Sequence, residues 1–328
     1  MTSTPPFTGK TPLVVEAQST HTATIIFSQS VTLLTRDYDA LLQDERADRI
    51  PSRPYSGLGD TALGWLDFAQ DLAPKFPHVK WILTNAPQRY IKLWDESMPS
   101  WSVTNRSPRF ERVDEKPLPL GAEPLSVRRW DFKIRNAPPQ DEDSQGMLES
   151  VETIKQLIEI EVANGIDPGR IVVGGFSQGC VFETRIYGSS VLSILTTVTS
   201  TRPLAGTMAL SGYLGLTYKN HIDSLATDVG RNIPMLMAHG DQDAIITLEK
   251  SRKGHDHLKS IGFEKIDYRV YKGEHSEKSI AQLSANPVDR DPKTMLTRTN
   301  IRCVIGLAHS LGQQETLDII DMLKKVIP

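Results

Sequence analysis

Cysteine is scarce in this chain: Cys180 and Cys303 are the only two in 328 residues. Two cysteines cannot build a disulfide framework, so a reducing compartment is the default expectation. No CxxC pair or Cys/His cluster offers a structural zinc site. Charge of one sign is lacking too. Lys and Arg total 37 against 40 Asp and Glu, a net charge of −3, which leaves no electrostatic footprint for nucleic acid and no polybasic patch for a membrane surface. No apolar run approaches the roughly 20 residues of a membrane span. The opening Met-Thr-Ser-Thr-Pro-Pro lacks the basic and apolar stretches of a secretory leader. Thr2 stands where myristoylation needs glycine, and the C-terminal Ile-Pro is no prenylation box. The expectation is a soluble cytoplasmic protein, with the nucleus as a second compartment, that neither binds nucleic acid nor inserts stably into membranes.

What is present is the makings of a core. Hydrophobic residues form 39% of the chain, too many for a disordered protein. The length alone suggests two domains, but α/β folds of this size are often single. Strands are expected at Thr22–Phe27, Val79–Leu83, Ile171–Phe176, Thr207–Leu210, Pro234–Ala238 and Tyr268–Tyr271. Most are continuously apolar, as in parallel strands buried on both faces. Met147–Ala163 repeats apolar residues at Val151, Ile154, Ile158 and Val162 and stops at Asn164-Gly165, which predicts a helix. Leu248–Ile261 reads as a second helix. Thr316–Val326 reads as a third, with Leu317, Ile320 and Leu323 on one face. The alternation predicts an α/β fold with a mostly parallel, doubly wound sheet flanked by helices. Four segments break the rhythm: 28–55, 102–129, 181–191 and 274–304. Structureless loops of such length are uncommon inside a compact domain.

The strongest chemical signal is Gly175-Phe176-Ser177-Gln178-Gly179, a G-x-S-x-G directly after the strand IVVGGF. Flanking glycines permit the sharp turn that lifts a serine hydroxyl above the sheet edge. A serine needs a base, and the base needs a carboxylate to fix its tautomer. In α/β-hydrolases the order is serine, acid, histidine. The best-placed carboxylates lie in His239-Gly240-Asp241-Gln242-Asp243, straight after the strand PMLMA, where such sheets carry their sites. Asp243 is the expected acid, Asp241 a turn residue. His239 precedes the acid and reads as a packing histidine. His275 and His309 both follow the acid. His309 adjoins the amphipathic C-terminal helix, and packed support favours it as the base. Gln178, after the nucleophile, should give one oxyanion amide. Leu58, in Ser56-Gly57-Leu58-Gly59-Asp60, should give the other.

Together these strings resemble the acyl-protein thioesterase, or phospholipase/carboxylesterase, family of the α/β-hydrolase superfamily. The resemblance rests on ANGIDPGRIVVGGFSQG, SGLGDTALGW, NAPQR, MPSW, LAGTMALSGYL, HGDQD and GLAHSLGQQE, in that family's order. GLAHSLGQQE supports His309 over His275. The resemblance implies one domain over 1–328 that hydrolyses fatty acyl thioesters, typically palmitoyl-cysteine on proteins. It implies no metal or organic cofactor, and S-acylated proteins as the partners. It makes Leu93, Met98 and Trp101 acyl-contact candidates, although Trp and Met there also suit ordinary packing. The alternatives are a carboxylesterase or lysophospholipase on the same triad, a chain whose insertions impair catalysis, and a module that binds acylated proteins without turnover.

The departures from the family pattern are specific. Ser56 replaces its histidine before Gly-Leu-Gly-Asp, and each interruption coincides with one of the four rhythm-breaking segments. Removing those segments leaves about 230 residues, a usual size for one such domain. Joining Gly273 to Leu307 gives Y-K-G-L-A-H-S, a family-like string. The expectation is that the four segments are disordered or aberrant insertions, several of them translated intervening sequence. Sequencing the transcript should then show mature message without them. Finding all four in message and in tryptic peptides overturns this expectation.

Overall fold

The computed structural model describes residue 7 and residues 9–28, 62–91, 96–101, 143–176, 189–217, 221–243, 246–272 and 312–328. The strands are β1 (Lys10–Val15), β2 (Ala23–Ser28), β3 (Val79–Asn85), β4 (Gln88–Ile91), β5 (Glu96–Pro99), β6 (Ile171–Phe176), β7 (Gly206–Leu210), β8 (Met235–Gly240) and β9 (Ile266–Tyr271). The α-helices are α1 (Leu66–Leu72), α2 (Ser144–Ala163), α3 (Ser189–Val198), α4 (His221–Leu225), α5 (Asp228–Arg231), α6 (Leu248–Ser260) and α7 (Gln313–Val326). All six expected strands form, their ends within two residues of the expected ones, and so do the three expected helices.

Seven strands make one sheet in the order β1-β3-β2-β6-β7-β8-β9, while β4 and β5 pair as a separate antiparallel hairpin. Among the described strands of the large sheet, only β1 runs antiparallel. The apolar runs explain this. Every residue of β2, β6 and β7 is buried, which needs cover on both faces. Side chains alternate between those faces. Ile26 and Val173 join α2 and α3 on one side. Ile25, Phe27 and Val172 join α1 and α7 on the other. From β2 the chain steps to β3 on one side, and it later returns to place β6 on the other. The crevice at a doubly wound sheet's carboxyl edge opens at such a reversal. Here it lies between the ends of β2 and β6, where Ser28 is registered with Gly175.

Two helical readings are refined. On α7 Leu317 is 48% exposed. The inward stripe is Ile319, Ile320 and Leu323, with Glu315 and Asp318 buried toward the N-terminus. On α2 the last inward position is the buried Glu161, one residue before Val162. Glu161 accepts from Lys80 Nζ at 2.5 Å and from Thr24 Oγ1 at 2.7 Å. Removing one member of so buried a pair costs about 3–5 kcal/mol, because the other charge is left without compensation.

Helix α3 is the element the pattern hid. Its sequence, SSVLSILTTV, is rich in β-branched residues, and Ser190 through Val198 are all buried. A helix buried all round shows no amphipathic period. Its hydroxyls bond back along the helix, Thr197 to Ser193 O at 2.9 Å and Thr199 to Leu195 O at 2.9 Å. α3 starts at Ser189, within segment 181–191, and β2 ends at Ser28, the first residue of segment 28–55. The rest of the four segments lies outside the described residues. Among the described residues no helix is long and apolar enough to cross a membrane.

Candidate active site

The site is built from strand ends. Because β2, β3, β6, β7, β8 and β9 are parallel, the segments after all of them leave from one edge of the sheet. β6 ends at Phe176, and Ser177 is the next residue. The strand reaches that point through a tight sheet: a Cβ at Gly174 would stand 2.7 Å from the Phe27 ring and 2.9 Å from Met208 Cε. Phe176 packs on Trp65, with ring centroids 5.1 Å apart, and Trp65 packs on Phe27 at 4.7 Å. Trp65 closes the string SGLGDTALGW. The described end of that string is therefore packed against the residue preceding Ser177. Asn85, of NAPQR, holds the same turn by accepting from Ala62 N at 3.0 Å.

Two strands along, β8 leads into the loop of Asp241 and Asp243, the loop expected to carry the acid. Asp241 N donates to Tyr271 O at 2.9 Å, tying the turn to the end of β9. Asp243 is 5% exposed. Its Oδ1 accepts from Ile246 N at 2.9 Å, and its Oδ2 lies 3.5 Å from His239 Nε2. His239 is fully buried, with Nε2 2.7 Å from Ile246 O. A carbonyl only accepts, so Nε2 carries the proton and is committed to the loop. That geometry suits the packing role read for His239. Asp243 is the more enclosed of the two aspartates, Asp241 being half-buried.

Between these two loops runs Ser211–Leu216, buried throughout. Ser211 (φ 49°) and Leu216 (φ 58°) sit in the left-handed region without being glycine. Such backbone costs about 1–3 kcal/mol per residue and persists only where packing dictates it. Lys250 Nζ lies 3.3 Å from the centroid of the buried Tyr213 ring, which ties α6 to this wall.

At the far side of the edge, α7 begins at Gln313, four residues beyond His309. Gly312 N donates to Glu315 Oε2 at 3.5 Å. Burial pushes the Glu315 carboxyl up to about 7; the Gly312 amide pulls it down, and the charge of Asp318 adds to the rise. Glu315 Oε1 has no partner among the described residues. Asp318 is different. Burial opposes its charged form, but hydrogen bonds from Arg269, Tyr271 and Gln314 outweigh that and hold it below the usual carboxylate range.

The remaining expected residues divide plainly. Ser177, Gln178, Leu58, Leu93, His309 and His275 lie outside the described residues. Met98 is opposite Arg89 in the β4–β5 ladder. Trp101 is 3% exposed and packed in the core beneath α2, where its carbonyl accepts from the Ser150 hydroxyl. Arg89 anchors the same hairpin to α2 through Glu149 at 3.2 Å. Among the described residues no three His, Cys, Asp or Glu side chains converge as a metal set. Trp65, Tyr271 and Asp318 were not singled out by sequence. Trp65 and Tyr271 each fall in a family-like string, SGLGDTALGW and Y-K-G-L-A-H-S, whereas Asp318 carries no such signal.

Comparison with known proteins gives the family and the fold. The profile of the Phospholipase/Carboxylesterase family matches residues 124–284. Acyl-protein thioesterase 1 of Cryptococcus neoformans var. neoformans is 34% identical over 203 residues, 62% of this chain and 69% of that protein. Acyl-protein thioesterase 1 of Gibberella zeae is 31% identical over 266 residues, 80% of this chain and 86% of that one. Among solved structures, Zea mays acyl-protein thioesterase 2 superposes with a TM-score of 0.57 at 19% identity, covering 98% of this chain and all (100%) of that one. Arabidopsis thaliana SOBER1 superposes with a TM-score of 0.57 at 17% identity, covering 93% of this chain and 99% of that one.

Proposed function

The chain belongs to the acyl-protein thioesterase branch of the phospholipase/carboxylesterase family, and from that premise we propose that it hydrolyses palmitoyl and similar fatty acyl thioesters on cysteines of proteins. The observation that carries the reading is Asp243, a carboxylate 5% exposed at the carboxyl end of β8. It stands on the edge where β6 hands over to Ser177. A buried acid at that place is what an acyl-transfer site needs behind its histidine.

In the proposed reaction Ser177 Oγ attacks the thioester carbonyl carbon while His309 takes the hydroxyl proton. The amides of Gln178 and Leu58 hold the oxyanion of the tetrahedral intermediate. Collapse breaks the C–S bond, the protein cysteine leaves with the proton from His309, and the acyl group stays on Ser177. Water, deprotonated by His309, then attacks the acyl-enzyme and frees the fatty acid. Asp243 holds the imidazole tautomer and stabilises its charged form.

Steady-state kinetics of the purified chain on a palmitoyl-cysteine peptide, the matching palmitoyl-serine ester and a lysophospholipid test this reading. The expected result is the highest kcat/KM on the thioester, with one fluorophosphonate label per chain. Turnover of the esters alone would assign the carboxylesterase or lysophospholipase alternative. Absence of both labelling and turnover would assign an impaired chain.

A further inference from the structure

Asp267, Arg269 and Tyr271 alternate along β9, so the strand's period of two puts them on one face. Gln314 and Asp318, four apart, share a face of α7. The two faces meet at the Asp318 carboxylate. Tyr271 Oη donates to Oδ2 at 2.7 Å, Gln314 Nε2 donates to Oδ1 at 3.0 Å, and an Arg269 guanidinium nitrogen lies 2.6 Å from Oδ1. Asp318 is 7% exposed and Tyr271 half-buried, so the junction is largely withdrawn from solvent. One residue joins this junction to the acid loop: the carbonyl of the same Tyr271 accepts from Asp241 N at 2.9 Å, two residues before Asp243.

We propose that Tyr271 and Asp318 are positioning residues, a latch that sets the spacing between the acid loop of Asp243 and the start of α7. This rests on the triad reading, in which His309 lies just ahead of that helix. The physical argument is one of register. The carboxylate must meet the imidazole within hydrogen-bond reach, and misplacement by an ångström is costly in rate. Asp243 is fixed to the end of β8. His309 stands four residues ahead of α7 in sequence, and α7 shares no backbone ladder with the sheet. Tyr271 is bonded to the acid loop through its main chain and to α7 through its side chain, so it spans both sides of that distance. Arg269 reaches the other oxygen of the same carboxylate, so Tyr271→Phe removes the phenol bond without leaving the Asp318 charge unpaired.

The test compares full-length wild type, Tyr271→Phe, Asp318→Ala and the double variant on the palmitoyl-cysteine peptide, with thermal unfolding of each. Tyr271→Phe should lower kcat about tenfold with KM within about twofold. Fluorophosphonate labelling should slow in parallel, and the double variant should be no slower than Asp318→Ala. Unchanged kcat in Tyr271→Phe, additive losses in the double variant, or a loss tracking the unfolded fraction would each overturn the latch. His309→Ala keeps the two readings apart. If it retains turnover, the triad reading fails. If it is inactive while Tyr271→Phe matches wild type, the latch fails alone.

Discussion

Ser177→Ala is expected to lower kcat on acyl thioesters by about 10⁴–10⁶-fold and to abolish fluorophosphonate labelling. The loss is large because the hydroxyl is the only group that forms the acyl intermediate. What survives is the modest acceleration that oriented amides give to direct attack by water. Folding should be spared, since alanine removes a single oxygen and the strand leading to the site is held elsewhere. Gly174 lies against Phe27 and Met208, and Phe176 lies against Trp65. The check is labelling and turnover beside the thermal unfolding midpoint of each protein. Equal labelling of the alanine variant would move the nucleophile to another residue and remove the proposed mechanism with it.

How far the fold could be read from the residues depended on burial pattern. β2, β6, β7 and β8 were legible because a strand covered on both faces must be apolar at nearly every position. α2 was legible because one face is wet. α3, with Ser190 through Val198 buried, offered no such contrast, and its threonines and valines look like strand. β1 was missed for the opposite reason. It is an edge strand with an exposed and half-buried pattern, and its charged and proline residues read as loop. Leu317 shows the limit of periodicity. Leu317, Ile320 and Leu323 repeat at three-residue steps, yet the sheet takes the neighbouring stripe of Ile319, Ile320 and Leu323. For the site, the place of Asp243 after a strand was legible, and its burial is what the structure adds. The junction of Tyr271 with Asp318 was not legible, because it joins residues far apart in sequence, and no motif pairs the tyrosine with the helical aspartate.

Asp243→Asn is expected to lower kcat by about 10⁴-fold, whereas Asp241→Asn should stay near wild type. Asparagine is the informative replacement. Its carbonyl oxygen can still accept from Ile246 N, now at 2.9 Å from Asp243 Oδ1, so the loop keeps its shape. Alanine would bury that amide without an acceptor and confuse lost folding with lost chemistry. What asparagine cannot supply is the negative charge that stabilises an imidazolium, or an acceptor-only group that keeps the histidine proton on the nitrogen facing it and leaves the other nitrogen free to take the serine proton. Asp241 contributes its backbone amide to Tyr271 O, a bond indifferent to its side chain. The measurement is kcat/KM of both variants on the same thioester peptide, with circular dichroism to establish equal folding. A collapse in Asp241→Asn alone would transfer the acid to Asp241. Parallel, mild losses in both would mean that neither carboxylate supports the base.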